Sequence, residues 1–269
     1  MDGHDPPGGA ARTSDGPPLA EPLPQLAGDP STAAPAPAAV PGWSVLGLLI
    51  TAVASFFAMT SAQLVTVLAL GVAGRDADQR SPADILAVTA AGAVALLVVL
   101  ALVGRRFLHL APDDFGLRRP TLGQLRFAVA SAVALWISSI LVNVLWIQLV
   151  GARPQALVVS FGTHRGPEAL FLDLLTGAVV APLAEETLYR GIVFGGLAQR
   201  LPFAVAAAVS ALLFALAHGI GVLAPIFVLG FGLAWIYRRS GTLWAPIVAH
   251  ATVNAISLAL LFALPRPLA

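Results

Sequence analysis

The stretch 83-ADILAVTAAGAVALLVVLALVG-104 decides the fold class. Past Asp84 it carries no charge, and a helix needs about 20 apolar residues to cross the hydrocarbon core of a bilayer. Comparable runs stand at 43–74 and 121–150, and shorter or mixed ones at 167–184, 185–199, 201–218, 221–237 and 242–264. The composition agrees: 58% of the 269 residues are hydrophobic and 11% charged, where a soluble domain is about half apolar and a quarter charged. The expected fold is all-α, a multi-pass transmembrane helix bundle of seven or eight spans. The count turns on 167–199, which reads as one span plus an interfacial helix or as two short spans.

Three regions follow. Residues 1–42 hold ten of the 21 prolines and five acids against one arginine. Such a stretch buries too little apolar surface to offset its ordering entropy, so a disordered tail is expected. Residues 43–166 are expected to form the N-terminal transmembrane helices and 167–264 a transmembrane core. The start lacks a basic n-region and an early apolar h-region, so no signal peptide is expected. Trp43 reads as an interfacial anchor, and Trp235, Tyr237 and Trp244 around Arg238, Arg239 and Gly241 read as an aromatic belt.

All fifteen basic residues are arginine. Four lie in 105-RRFLHLAPDDFGLRRP-120. If that loop is cytoplasmic, alternation puts 190–200 and Arg238/Arg239 on the same side. Nine arginines, Arg126 and Arg190 among them, then face five at Arg75, Arg80, Arg153, Arg165 and Arg266. The positive-inside rule favours this choice, with a cytoplasmic N-terminus. A net charge of +1 suggests no nucleic-acid partner. The absence of cysteine excludes disulfides, thiolate nucleophiles and zinc–thiolate sites.

Polar residues are sparse after position 167, so each one that is present stands out. In 185-EETLYR-190, Glu186 and Arg190 are four apart and share a helix face. Glu185 is rotated about 100° from Glu186. In 214-FALAH-218 a histidine ends an apolar helix. In 250-HATVN-254, His250 and Asn254 share a face inside an apolar run. Taken singly, these are a headgroup-facing helix end, a satisfied helix-end histidine and an asparagine that glues helices. Together, ionisable side chains on three helices can converge in a bundle interior, where they mark function.

Two chemistries fit. Glutamate with histidine can take a proton from water, with His250 and Asn254 donating to an oxyanion. Alternatively Glu185, His218 and His250 bind one zinc ion with an open water position. There is no HExxH and no G-x-S-x-G. His4, His109 and His164 fall in the tail or loops and receive no role.

The three motifs in this order resemble the CPBP family of intramembrane endopeptidases, which includes the CAAX prenyl proteases and the bacterial Abi-type proteins. The pattern EExxxR, FxxxH, HxxxN/D stands here as Glu185-Glu186-x-x-x-Arg190, Phe214-x-x-x-His218 and His250-x-x-x-Asn254. Its flanks are Pro182, Tyr189-Arg190-Gly191, 245-APIVAHATVN-254 and 115-FGLRRP-120. The resemblance covers 115–262.

It implies an intramembrane protease whose catalytic core is 167–264. Glu185 with His218 would activate water, and Glu186 with Arg190 would shape the site. His250 and Asn254 would hold the oxyanion or help bind zinc. The implied partners are membrane lipids and a peptide or protein substrate, lipidated in the prenyl-protease branch. The composition points to a bacterial plasma membrane. Two rivals belong to other classes. One is a non-catalytic relative serving bacteriocin self-immunity or scaffolding partner membrane proteins. The other is a solute transporter, which the absence of an internal repeat disfavours.

Overall fold

The computed structural model describes residues 42–75, 80–109, 114, 116–151, 164 and 166–263. The tail expected at 1–42 lies outside them except for Gly42. The described residues form seven apolar helices and no strand: α1 Val45–Val72, α2 Pro82–Leu108, α3 Leu122–Val150, α4 Pro167–Leu197, α5 Phe203–His218, α6 Leu223–Ser240 and α7 Trp244–Ala263. All but α5 are long and apolar enough to cross a membrane. The chain is an integral membrane protein with an all-α fold.

Local sequence sets the helix ends. Ser81 and Asp84, with Pro82 in the first turn, close a capping box on α2, and Thr121 and Gln124 do the same on α3. Left-handed Gly151 and Gly241 terminate α3 and α6.

The expected alternation of ends holds. Trp43 N–H donates to the Gln199 side chain (3.1 Å), and the Arg200 guanidinium donates to the Trp43 carbonyl. Leu243 N–H donates to Gly116 O (3.1 Å), and Gln124 Nε2 to Ser240 O (2.7 Å). The start of α1, the approach to α3, the end of α4 and the α6–α7 turn therefore share one end of the bundle. The α5–α6 turn lies toward the other, where Trp146 Nε1 of α3 donates to Ile220 O (3.0 Å). That bond matters because α5 has only 16 residues. At 1.5 Å per residue it spans about 24 Å of a ~30 Å hydrocarbon core. Its turn exposes backbone at membrane depth, where protein or cavity water must satisfy it.

Four expectations change. Residues 167–199 are neither two short spans nor a span plus an interfacial helix: α4 is one helix of 31 residues. Trp43 is not an interfacial anchor, being 3% exposed and packed in the core beside Leu48, Phe194 and Leu243. Tyr237 is likewise buried, leaving Trp235 and Trp244 as the exposed aromatics of that turn. Arg190 is fully buried and does not count among headgroup-facing arginines.

Candidate active site

Helix α4 carries the first motif and is irregular. Leu175–Val180 and Thr187–Phe194 are π-helical, with α-helical residues 181–186 between them. A threonine stands at the start of each π segment, with its hydroxyl turned back onto the carbonyl four residues earlier. Thr176 Oγ1 bonds Leu172 O (2.8 Å), and Thr187 Oγ1 bonds Leu183 O (2.6 Å). Such back-bonding competes for the acceptors of the α ladder and bends helices. π segments recur at functional sites.

The two glutamates separate as their rotation predicts. Glu186 is fully buried, whereas the Glu185 side chain keeps 23% of its exposure. Glu186 Oε1 accepts from Arg190 Nη1 (2.8 Å) and bonds His250 Nδ1 (2.8 Å). Glu186 is therefore more than the partner of Arg190: it also orients the histidine of the third motif. The far side of that ring, His250 Nε2, stands 3.9 Å from Glu185 Oε2. A carboxylate holding the Nδ1–H of an imidazole orients the ring and fixes its tautomer.

Arg190 is anchored from three directions. Besides Glu186, its Nη2 donates to Gly230 O on α6 (3.0 Å), and its guanidinium lies 4.6 Å over the Phe214 ring. A Cβ on Gly230 would sit 3.1 Å from Ala211 and from Phe214, so glycine is what lets α5 and α6 close on this point. Phe214 also gathers the histidines, its centroid 4.5 Å from that of His218 and 5.8 Å from that of His250. His218 Nδ1 bonds Phe214 O (2.8 Å), so chemistry at His218 falls to Nε2. Asn254 Nδ2 donates to Gly177 O on α4 (2.7 Å).

All six side chains named from the sequence thus lie on α4, α5 and α7. Glu185, Glu186, Arg190, His218 and His250 are joined by direct contacts or through the Phe214 ring, and Asn254 ties α7 to α4 one turn beyond His250. Sequence reading missed the glutamate–histidine bond and the supporting role of α6. Gly230 carried no signal, because glycine is common in membrane helices. Among the described residues no group of three His, Asp or Glu side chains is placed to hold a metal ion. With Nδ1 of each histidine bonded to a protein oxygen, a metal held here would meet Nε2 of His218 and of His250 together with Glu185.

Comparison with known proteins agrees with the motif reading. Residues 167–256 match the family model of type II CAAX prenyl endopeptidase Rce1-like proteins. Among curated proteins, "Putative membrane peptidase YdiL" of Bacillus subtilis is 32% identical over 88 residues, 32% of this chain and 36% of that protein. The UPF0177 protein YxdF of Lactococcus lactis is 33% identical over 78 residues, 28% of this chain and 42% of that protein. An uncharacterized 24.3 kDa protein of Escherichia coli is 36% identical over 99 residues, 35% of this chain and 45% of that protein. The chain thus spans less than half the length of each. No solved structure matches.

Proposed function

We propose that this protein is an intramembrane endopeptidase that hydrolyses a peptide bond of a membrane-associated or lipidated protein or peptide. The observation that carries the reading is the continuous chain Arg190–Glu186–His250–Glu185, buried at one end and opening at Glu185. Burying two carboxylates and an arginine in a membrane bundle is costly. The Arg190–Glu186 pair is neutral as a unit and leaves Glu185, half-buried, as the reactive carboxylate.

In this mechanism Glu185, with His218 Nε2, takes a proton from water as it attacks the scissile carbonyl. The carbonyl carbon becomes tetrahedral and its oxygen negative. The second hydrogen of Asn254 Nδ2 donates to that oxyanion, and so does His250 Nε2 when the ring carries a hydrogen on both nitrogens. The proton held on Glu185 then passes to the leaving amine, the C–N bond breaks, and the carboxylate is regenerated. General acid–base catalysis of this kind contributes about 10²- to 10⁴-fold. The family match and the name of the Bacillus relative support a peptidase. We place the protein in a bacterial plasma membrane with its arginine-rich end and N-terminus in the cytoplasm, as the positive-inside rule favours.

The test is a comparison of protein N-termini. Purified protein is reconstituted with a host membrane-protein extract, and newly created termini are sequenced. Wild type should generate termini that both Glu185→Ala and His218→Ala fail to generate, with each variant unfolding thermally as wild type does. Identical termini from all three proteins would sink the mechanism.

A further inference from the structure

The bond between Asn254 and Gly177 has a cause in the sequence. Inside a regular α-helix every carbonyl accepts from the N–H four residues on, and in a π segment from the N–H five residues on. Gly177 O has neither donor. Its α partner, the Ala181 N–H, donates instead to Thr176 O, as the π register of Leu175–Val180 dictates. Its π partner would be the N–H of residue 182, which is proline and has none. The register shift and the imino acid together strip one carbonyl of backbone donors, in a helix that water does not reach freely. A carbonyl orphaned at membrane depth must be satisfied by a neighbour. The neighbour is Asn254 Nδ2, at 2.7 Å. Pro182 itself is fully buried against the bundle.

We propose that Pro182 is a positioning residue for the reaction: by emptying the Gly177 carbonyl it fixes the side-chain amide of Asn254 in its working orientation. One Nδ2 hydrogen is held by Gly177 O, and the plane of the amide then dictates where the second points. This inference rests on the oxyanion role proposed for Asn254. It differs from a packing role in its consequences. Alanine at position 182 restores an N–H that competes for Gly177 O, and it removes a helix-breaking residue. The variant should therefore keep its fold while Asn254 loses its anchor.

The experiment uses the fact that the chain has only two asparagines, Asn143 and Asn254. In full-length protein labelled with side-chain ¹⁵N-asparagine in nanodiscs, an Asn143→Gln variant identifies the Asn254 amide. Pro182→Ala should melt at or near the wild-type temperature, yet shift the Asn254 amide resonance and speed its hydrogen exchange. With the substrate found by terminal sequencing, kcat should fall about 10- to 100-fold, up to the cost of a lost oxyanion donor, at unchanged KM. In an Asn254→Ala background, Pro182→Ala should lower kcat no further, since the two act as one unit.

An Asn254 resonance unmoved by Pro182→Ala overturns the proposal. So does a full additional loss of kcat in the double variant. If the resonance moves but wild type cleaves nothing, Pro182 still fixes the Asn254 amide, and it is the endopeptidase reading, with the catalytic use of that amide, that falls.

Discussion

Helices α3 and α4 are nearly the same length, 29 and 31 residues, and both are apolar enough to span a bilayer. They do opposite work. Only 11% of the apolar stretch of α3 is buried inside the bundle, against 33% for α4. α3 is a regular α-helix whose polar groups serve its neighbours: Trp136 bonds Ser257, and Trp146 bonds the α5–α6 turn. α4 is broken twice by π segments and carries four buried or half-buried charged side chains, Asp173, Glu185, Glu186 and Arg190. Crossing a membrane requires length and apolar surface. Building a site inside one requires departures from regularity, and each departure must find a partner on another helix.

The largest effect should come from removing the partner shared by most of the site. Arg190→Ala leaves Glu186 buried without its cation and Gly230 O without a side-chain donor. Breaking a buried pair from one side costs on the order of 3–5 kcal/mol, enough to lower the thermal midpoint sharply in detergent. Arg190→Lys keeps the charge but lacks the fork that reaches Glu186 and Gly230 together, so it should fall between alanine and wild type. A stable Arg190→Ala protein would show that α4 tolerates its charges singly.

Asn254→Ala probes one departure from regularity. It leaves the Gly177 carbonyl with neither a backbone nor a side-chain donor. Interhelical hydrogen bonds in membranes contribute about 0.6 kcal/mol on average and up to about 1.7. Denaturant unfolding should show a loss in that range, accompanied by faster amide exchange around Gly177. No loss would mean that backbone distortion alone satisfies the carbonyl.

The same contrast explains what could be read beforehand. The six motif residues were legible because a charge or an amide in an apolar run is rare and expensive. The number of apolar helices was legible to within one, seven among the described residues against seven or eight expected, although six of them are long enough to span. The faces of the helices were not legible. Lipid and bundle interior are both apolar, so the inward side of α3 carries no pattern distinguishing it from its lipid side, and Trp43 could be taken for an interfacial anchor while it packs in the core. The π register was hidden as well: the same threonine or serine back-bond to the carbonyl four residues earlier occurs at Thr66, Ser138 and Thr252 in regular α-helices, so Thr176 and Thr187 do not announce it. Asp173 interrupts the apolar run and is fully buried, with neither carboxylate oxygen hydrogen-bonded among the described residues.

The smallest effect should come from the lipid-facing side of α3. Leu145 is 63% exposed on the bundle surface. Truncating it to alanine opens no cavity, because lipid chains fill the space left behind, and lipid is as apolar as leucine. The change should stay within about 0.5 kcal/mol, as for surface positions generally. Phe214→Ala makes the matching cut in the interior, where the ring is fully buried beneath Arg190 and beside both histidines. There the surroundings cannot flow in, and the expected cost is about 3–5 kcal/mol. Equal losses at the two positions would mean that α3 packs against something more specific than lipid, and the division between a lipid-facing helix and a site-bearing helix would fail.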